Sequence, residues 1–572
     1  MPAIDVAVVG GGCAGTYAAW RLATAPRPVL DRLFPDSTGA PTIHLYELTG
    51  RIGGRVQTQT IPGTSFPAEL GAMRYTPNQV LLANLVRKLG LEAQARGFDL
   101  SPCMMYLRGS CLLPPSAGPY RLRGEERGLG AGELIMLAIT RALTDLTMDE
   151  GSPPDLLQKL SDVNNRNTPG RADEFTTSEW AVIKRSAMLY GARLWELGFW
   201  NLLHHYLSTN AFLFVHDALG YESILSNWNA AEAIPWFIAD FGASGYVALA
   251  DGLQTVPQKL AYEFLISPDS KLFLEHQLEG IEPIETDGRR LLQLSFRRGL
   301  SEGDIVQVLA KHVILALPKV PLQIIGAPRA IGGTSEATNY RANLNQVTQH
   351  PLFKLFLLYE RPWWTDSKAL GCAYGRVVTD LPIRQIYYFG RNSDGTSAGA
   401  PWDGAQAVLM ASYTDEHYVD FWKPLFQRGN PYYGCKENTG ATSETLRFYG
   451  VPKAMLDKAH RQLLRMHPKL GIKSRLAIPD PCVGIAADWS RAPNYGGWHT
   501  WKVHAEPWVV RQNLCKPFAG LNVYVCGEAY SCEQGWIEGA LRSTERVLQT
   551  IGLQPPDWVP QAPGEFEGYI EA

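Results

Sequence analysis

No stretch of this 572-residue chain strings together the ~18–20 apolar residues that a bilayer-spanning helix needs, so a membrane partner is not expected. There is no block of like charge and no basic stripe either. With a formal net charge of −3 and 19% charged residues, the chain lacks the electrostatic footprint of a nucleic-acid binder. The nine cysteines are scattered and form no CxxC pair, which points to reduced thiols and a cytoplasmic protein. The start, MPAIDVAVVGGG, has no basic leader or cleavage pattern, and Asp5 interrupts it; a buried strand is expected there rather than a signal peptide. No metal site is expected. His204 and His205 are adjacent on a helix and so face different directions, towards a partly exposed face or a substrate channel, while His499 and His504 lack a ligand partner at useful spacing. Internal repeats, low-complexity tracts and Ser-His-Asp or nucleophilic Cys arrangements are also missing.

What is present is a globular composition, 45% hydrophobic with 16 tryptophans, long enough for three or four domain-sized pieces. IDVAVVG reads as a strand buried on both faces of a parallel sheet. GGGCAG follows, CAGTYAAWRLA reads as a helix, and after a Pro-rich insertion TIHLYE forms a second strand ending at Glu47. That is a βαβ unit. Between about 126 and 245 the apolar spacing turns helical in GELIMLAITRAL and in TTSEWAVIKRSAMLYGARLWELGFWNLLHHYL, the latter opened by a capping box of Thr176 and Glu179. Strand patterns return in KLFLEHQLEGIE, LLQLSFRR and KHVILALP, and again in PLFKLFLLY, RQIYYFG and AQAVLMASY. NVYVCGE and the helical WIEGALRSTERVLQ lie near the C-terminus, and the Pro- and Gly-rich tail after Pro555 is expected to be loose. The fold expected is α/β plus α+β. A discontinuous Rossmann-like domain (1–76, 246–325 and 486–560) and a mixed-sheet substrate-binding domain (77–125 and 326–485) are joined by an inserted helical domain (126–245).

Gly10, Gly12 and Gly15 form G-x-G-x-x-G between strand and helix. The first allows the tight turn, the second lets backbone approach a pyrophosphate, and the third lets the helix pack on the strand. Glu47 is placed to accept from a ribose hydroxyl, its greater distance from Gly15 being taken up by the insertion.

E-L-T-G-R-I-G-G-R, Glu47 to Arg55, resembles the signature of the flavin-dependent amine oxidase superfamily, and Val525 to Ala540 resembles that family's matching C-terminal segment. The resemblance spans nearly the whole chain and implies FAD. Arg51 and Arg55 would supply cations for the pyrophosphate, and Gly53 and Gly54 would let the chain pass close to a flat ring. Glu528 would hold the ribityl or phosphate region, and the helix starting near Trp536 would point its N–H groups at the flavin. In monoamine oxidases a cysteine beside a Gly-Gly pair carries the flavin. Here Trp498 stands in the similar N-Y-G-G-W-H, so non-covalent FAD is expected, with Trp498 packing on the ring or the substrate. Cys482, Cys526 and Cys532 are expected to be buried inert thiols.

Within the superfamily, G-A-M-R, Gly71 to Arg74, resembles the stretch with which L-amino acid oxidases grip the substrate carboxylate, for which a planar guanidinium is suited. Tyr413 in L-M-A-S-Y-T would be the second carboxylate ligand. Gly535 would accept from the substrate amine through its carbonyl, and Trp536 would form one wall. Lys354 has Phe356 and Leu358 on one face and Leu355 and Leu357 on the other, so it is expected inside with a polar partner. By resemblance it would hold a water against flavin N5. The activity implied is oxidative deamination of an L-amino acid, with O₂ as acceptor, giving a 2-oxo acid, ammonia and H₂O₂. An amino acid 2-monooxygenase, an amine or polyamine oxidase and a flavin-bearing scaffold are the alternatives. Side-chain preference stays open between a basic head group on Asp217, Glu222, Asp240 or Glu533 and an aromatic or long apolar chain against Trp489 to Trp508. A homodimer or higher homo-oligomer also stays open.

Overall fold

The computed structural model describes residues 3–37, 39–61, 64, 66–98, 102–149, 151–163, 175–241, 245–286, 288–299, 303–360, 362–364, 375–389, 407–426, 450–467, 478–560 and 563–571. The strand Ile4–Val9 is buried at every residue, and its side chains enter two cores. Val6 and Val8 face a helical layer, while Ile4, Ala7 and Val9 face the opposite one. Burial on both sides is why this stretch reads as apolar without alternation. On one edge it pairs in parallel with Ile43–Tyr46, which in turn pairs with Ser270–Phe273; on the other edge lies Ile305–Ala316. This last strand has 12 residues, enough for two partners along its far edge. Its first half runs antiparallel to Arg289–Arg298, itself paired with His276–Thr286, and its last residues take Val523–Cys526 in parallel. Strands from near both ends of the chain thus flank one central strand. Pro318 caps the helix that follows it.

The second sheet is mixed. It runs from Val483–Asp488 through Leu352–Tyr359, Ala407–Asp415, Gln385–Tyr388, Gly375–Thr379 and Pro102–Leu107 to Ser110–Leu112, and only the pairing of Gly375–Thr379 with Pro102–Leu107 is parallel. Along Leu352–Tyr359 the period of two sends Phe353, Leu355 and Leu357 into one core and Phe356 and Leu358 into another. Helices from Ala131–Asp145 to Ala230–Phe241 enclose a separate core around Leu134, Ile139, Phe199 and Phe214. The architecture is a mixed α/β fold with a parallel Rossmann-like sheet and a mixed sheet. Gly390, Ala405 and Gln406, at the ends of two expected strands, lie outside the described residues.

Three expectations need correction. The helical pattern from Thr176 to Leu207 is not one helix. Its capping box forms, with Glu179 N–H donating to Thr176 Oγ1 at 3.3 Å and Thr176 N–H to Glu179 Oε2 at 2.7 Å, but the helix Thr177–Ser186 gives way to a hairpin turned at Tyr190 (φ 54°) and Gly191 (φ 77°). Two left-handed residues in a row make a hairpin turn, and the apolar spacing on either side hid it. Helix resumes at Phe199–Tyr206. The tail is not loose: Pro563–Glu571 is a helix with Phe566 and Ile570 buried. The Tyr569 hydroxyl donates to Glu538, and Arg542 donates to the Tyr569 carbonyl. The spacing of Phe566, Tyr569 and Ile570 is that of an amphipathic stripe, which the surrounding Pro and Gly outweighed in the sequence. Cys482 is disulfide-bonded, which corrects the expectation of an inert thiol there. Cys526 is free and buried, its thiol pushed up to about 12 by burial. No helix among the described residues is long and apolar enough to cross a membrane.

Truncating Phe566 to alanine should cost about 3–5 kcal/mol, as for other buried aromatics, and lower the melting temperature in a thermal scan. A variant melting with the parent would mean that the C-terminal helix merely rests on the surface.

Candidate functional site

A cavity of about 1590 Å³ opens between the two sheets and the helical layer. It exceeds the roughly 300–1,000 Å³ of a pocket for one small ligand, leaving room for a dinucleotide and a substrate together. At one end it is lined by Gly10, Gly12, Glu47, Arg51, Gly53, Gly54 and Arg55. The two glycine runs touch: Gly53 N–H donates to the Gly11 carbonyl at 2.8 Å, and Gly12 and Gly53 form a bridge. Gly15 lies behind the lining, where a Cβ would stand 1.8 Å from the Gly10 carbonyl oxygen, so its role is packing. Glu47 is buried and accepts from Gly11 N–H at 2.6 Å and from the Thr49 N–H and hydroxyl at 2.9 and 2.7 Å. Arg51 donates to the carbonyls of Gly54 at 2.5 Å and Val56 at 3.4 Å, so this guanidinium shapes the loop that lines the cavity.

Deeper in, Glu528 collects donors from three segments. Arg55 approaches at 2.7 Å, His499 donates through its backbone at 3.0 Å and its ring at 2.9 Å, and Gly535 N–H donates at 2.8 Å. Burial works against the charge of Glu528, but Arg55 and then His499 hold the carboxyl well below the usual glutamate range. Burial keeps His499 below the ordinary histidine value, against the pull of Glu528. Gly535 (φ 85°) turns so close to Trp498 that a Cβ would stand 2.7 Å from the indole, which restricts the position to glycine. Trp498 meets Trp228 edge-on at 5.9 Å, and Trp236 lies 6.4 Å from both Trp498 and Trp536. Trp536 caps the helix Ile537–Ile551, whose Ile537 and Ala540 line the cavity.

Arg74 lies in the same cavity, enclosed by aromatic faces: its guanidinium carbon is 5.0 Å from the Tyr246 ring and 5.8 Å from Phe98 and Trp536. Its Nε is buried without a hydrogen-bond partner, and no ion pair to Arg74 occurs among the described residues. Glu69, the acid beside it in sequence, is turned away to Thr58 at 2.7 Å and Leu253 N–H at 2.6 Å. Lys354, buried as its pattern requires, does not line the cavity. Its Nζ donates to the Glu69 and Gly71 carbonyls at 3.0 and 2.6 Å and lies 4.7 Å from the Tyr413 ring. Burial pushes Lys354 down and Glu69 up, each towards its neutral form. Tyr413 lines the cavity opposite Lys354 in the strand pairing.

The structure therefore gathers Arg74, Tyr413, Gly535, Trp536 and Trp498 around one space and leaves Lys354 and Gly15 a layer behind. Of the four acids considered for a head group, Asp240 alone lines the cavity, with one oxygen accepting from the Tyr246 hydroxyl at 2.8 Å. Glu533 pairs with Arg542; Asp217 pairs with His216, and Glu222 contacts His216 and His417. His204 and His205 are exposed on their helix. Sequence patterning missed Tyr221, Trp236, Tyr246, His499 and Arg376. Trp236 sits inside a helix, Tyr246, Arg376 and His499 on strands and Tyr221 just past a helix end, in stretches whose spacing carries no motif, and chain folding alone brings them to the site.

Comparison with known proteins accords with this geometry. Residues 14–428 match the family of flavin containing amine oxidoreductases. Aplysianin-A of Aplysia kurodai is 25% identical over 96% of this chain and 90% of its own length. An L-amino-acid oxidase of Mus musculus is 25% identical over 96% of this chain and 70% of its own. Among solved structures, cyclohexylamine oxidase from Brevibacterium oxydans shares the fold with a TM-score of 0.59 at 15% identity, covering 96% of this chain and 99% of that one.

Glu528→Gln should leave Arg55 without its carboxylate, and breaking a buried pair costs about 3–5 kcal/mol. The expected result is a lower melting temperature and loss of flavin on desalting. A carboxyl with a depressed folded pKa stabilises fully above the unfolded glutamate value and loses that contribution as pH falls, so the gap between parent and variant should narrow in acid. A variant that melts with the parent at neutral pH and stays yellow would show that a neutral amide serves as well.

Proposed function

The chain belongs to the flavin-containing amine oxidoreductases, and within that family we propose that it is an FAD-dependent L-amino acid oxidase. The observation that carries this reading is Arg74: a guanidinium in an aromatic enclosure of the cavity, charged at any working pH, whose charge acts on the Asp240 carboxyl but which forms no ion pair among the described residues. A substrate carboxylate would complete it, and the L-amino-acid oxidase of Mus musculus supports the same reading by similarity.

The glycine cradle, Glu47 and the loop shaped by Arg51 suit FAD, since they combine close backbone approach with an acceptor for a ribose. FAD held there would supply two-electron oxidation of the substrate Cα–N bond, with O₂ as the final acceptor and H₂O₂ as its product. The chain's part is orientation. Arg74 meets the carboxylate bidentately and Tyr413 adds a hydroxyl. Gly535, whose N–H already serves Glu528, has its carbonyl left for the neutral amine. Trp498, Trp236 and Trp536 wall the space and exclude water, which strengthens each of these contacts. Lys354, whose Nζ donates to the Glu69 and Gly71 carbonyls behind the lining, is assigned to the oxygen step by resemblance, acting through the loop it holds. The amino acid product is an imino acid that hydrolyses to a 2-oxo acid and ammonia. Asp240 is the observation that favours a second reading, an amine oxidase, because a cavity carboxylate suits a cationic substrate.

FAD should be held without a covalent bond, as no cysteine stands at Trp498: acid precipitation should leave the yellow colour in the supernatant, and colour in the washed pellet would overturn this.

Arg74→Met should lower kcat/KM for the best L-amino acid by about thirtyfold to several thousandfold, the 2–5 kcal/mol of an unpaired buried charge. The matching decarboxylated amine should be oxidised as well as before, or better. Equal losses on both, in a variant with parental flavin content and melting temperature, would refute the carboxylate role.

A further inference from the structure

A substrate carboxylate offers about four lone-pair positions. Arg74 fills two as a fork and Tyr413 a third, so a fourth donor is wanted in the same space. Tyr221 lines the cavity there. Its ring meets that of Tyr413 edge-on, with centroids 5.2 Å apart and planes at 88°. Its hydroxyl acts on both Tyr413 and Tyr387, which, after burial, it helps to push above the ordinary tyrosine value. Tyr387 has already directed its proton to Gln385 Oε1 at 3.1 Å, so it can only accept. The protons of Tyr221 and Tyr413 are held only by neighbouring phenols, so they can turn towards an arriving anion, the stronger acceptor.

The backbone around Tyr221 is pinned by the very sheet that carries Tyr413. Tyr221 follows Gly220, the left-handed cap (φ 87°) of the helix Thr209–Leu219. Arg376 donates to the Leu219 carbonyl at 2.5 Å, and Gln385 Nε2 to the Gly220 carbonyl at 3.1 Å. Beyond Tyr221, the N–H groups of Glu222 and Ser223 donate to the Asp415 carboxylate at 2.9 and 3.1 Å. Asp415 is buried and lies two residues after Tyr413 on the same strand. Three adjacent strands therefore fix the turn on both sides of Tyr221, so its ring is aimed by construction.

We propose that Tyr221 is a further substrate-binding residue, a hydroxyl donor from the helical segment to the carboxylate that Arg74 and Tyr413 receive. This rests on the amino acid reading of the cavity. The carboxylate site is then built from three parts of the chain: the loop after the glycine signature, the mixed sheet and the helical segment.

Tyr221→Phe keeps the ring against Tyr413 and removes only the hydroxyl. Benzoate, a carboxylate without an amine, serves as the probe, its binding followed by perturbation of the flavin absorbance. The variant should bind benzoate about ten- to a hundredfold more weakly, the loss of one hydrogen bond to a charged group. KM for the best L-amino acid should rise by a similar factor, more than kcat falls, while oxidation of the matching amine and the flavin content stay parental. A variant with parental benzoate affinity, or one that loses equally on amino acid and amine, overturns the proposal. A parent that binds no benzoate and oxidises no L-amino acid in a panel of twenty overturns instead the amino acid reading beneath it.

Discussion

A carboxylate removed from water must be met by donors or lose its charge. In this protein that requirement falls on Glu528, and much of the site's geometry follows from how it is met. Arg55 comes from the loop after the first βαβ unit, His499 from the strand Trp498–Trp501, and Gly535 from the turn before the last long helix. Three segments far apart in sequence are drawn to one point. Gly535 in turn lies against Trp498, and Trp536 closes the aromatic enclosure over Arg74. The ion pair thus does more than offset two charges: it ties the loop after the first βαβ unit to the segment that follows the strand Val523–Cys526.

Arg74 shows the opposite arrangement. Its nearest neighbours are ring faces and phenols, the nearest acid in sequence, Glu69, is bound elsewhere, and Asp240, the acid that feels its charge across the cavity, accepts from Tyr246 without forming an ion pair to it. An arginine in such surroundings is costly unless something anionic completes it, and a site designed that way discriminates sharply between ligands with and without a carboxylate. The loop that carries it is itself held from behind by Lys354 on the Glu69 and Gly71 carbonyls and by Trp489 Nε1 on the Leu70 carbonyl at 2.7 Å. The cation is rigidly placed, as orientation of a reacting Cα requires.

Several features were legible in the chain without coordinates. The strand Ile4–Val9, the helix Cys13–Ala23 and the capping box at Thr176 follow from periodicity and local chemistry, which act between near neighbours. Lys354 between apolar faces signalled a buried ammonium with a partner, and the carbonyls of Glu69 and Gly71 supply it. Local patterning also misled. The turn at Tyr190 and Gly191 was hidden because apolar spacing on both sides matched a helix, and the helix Pro563–Glu571 was hidden by its prolines and glycines.

The glycines that make a close backbone approach, the apolar strands and the solitary arginine are written in residue order, since each depends on a residue and its immediate neighbours. Which cations stay free is not. Arg51 and Arg55 stand in one short motif with the same charge, yet Arg51 is used on its own loop and Arg55 on a carboxylate 473 positions away, whereas Arg74 keeps its charge for the cavity. Tyr221 joins that cavity because three strands hold its turn. A hydrogen bond or ion pair depends on distance in space, and only the packed chain brings such partners within 3 Å of each other.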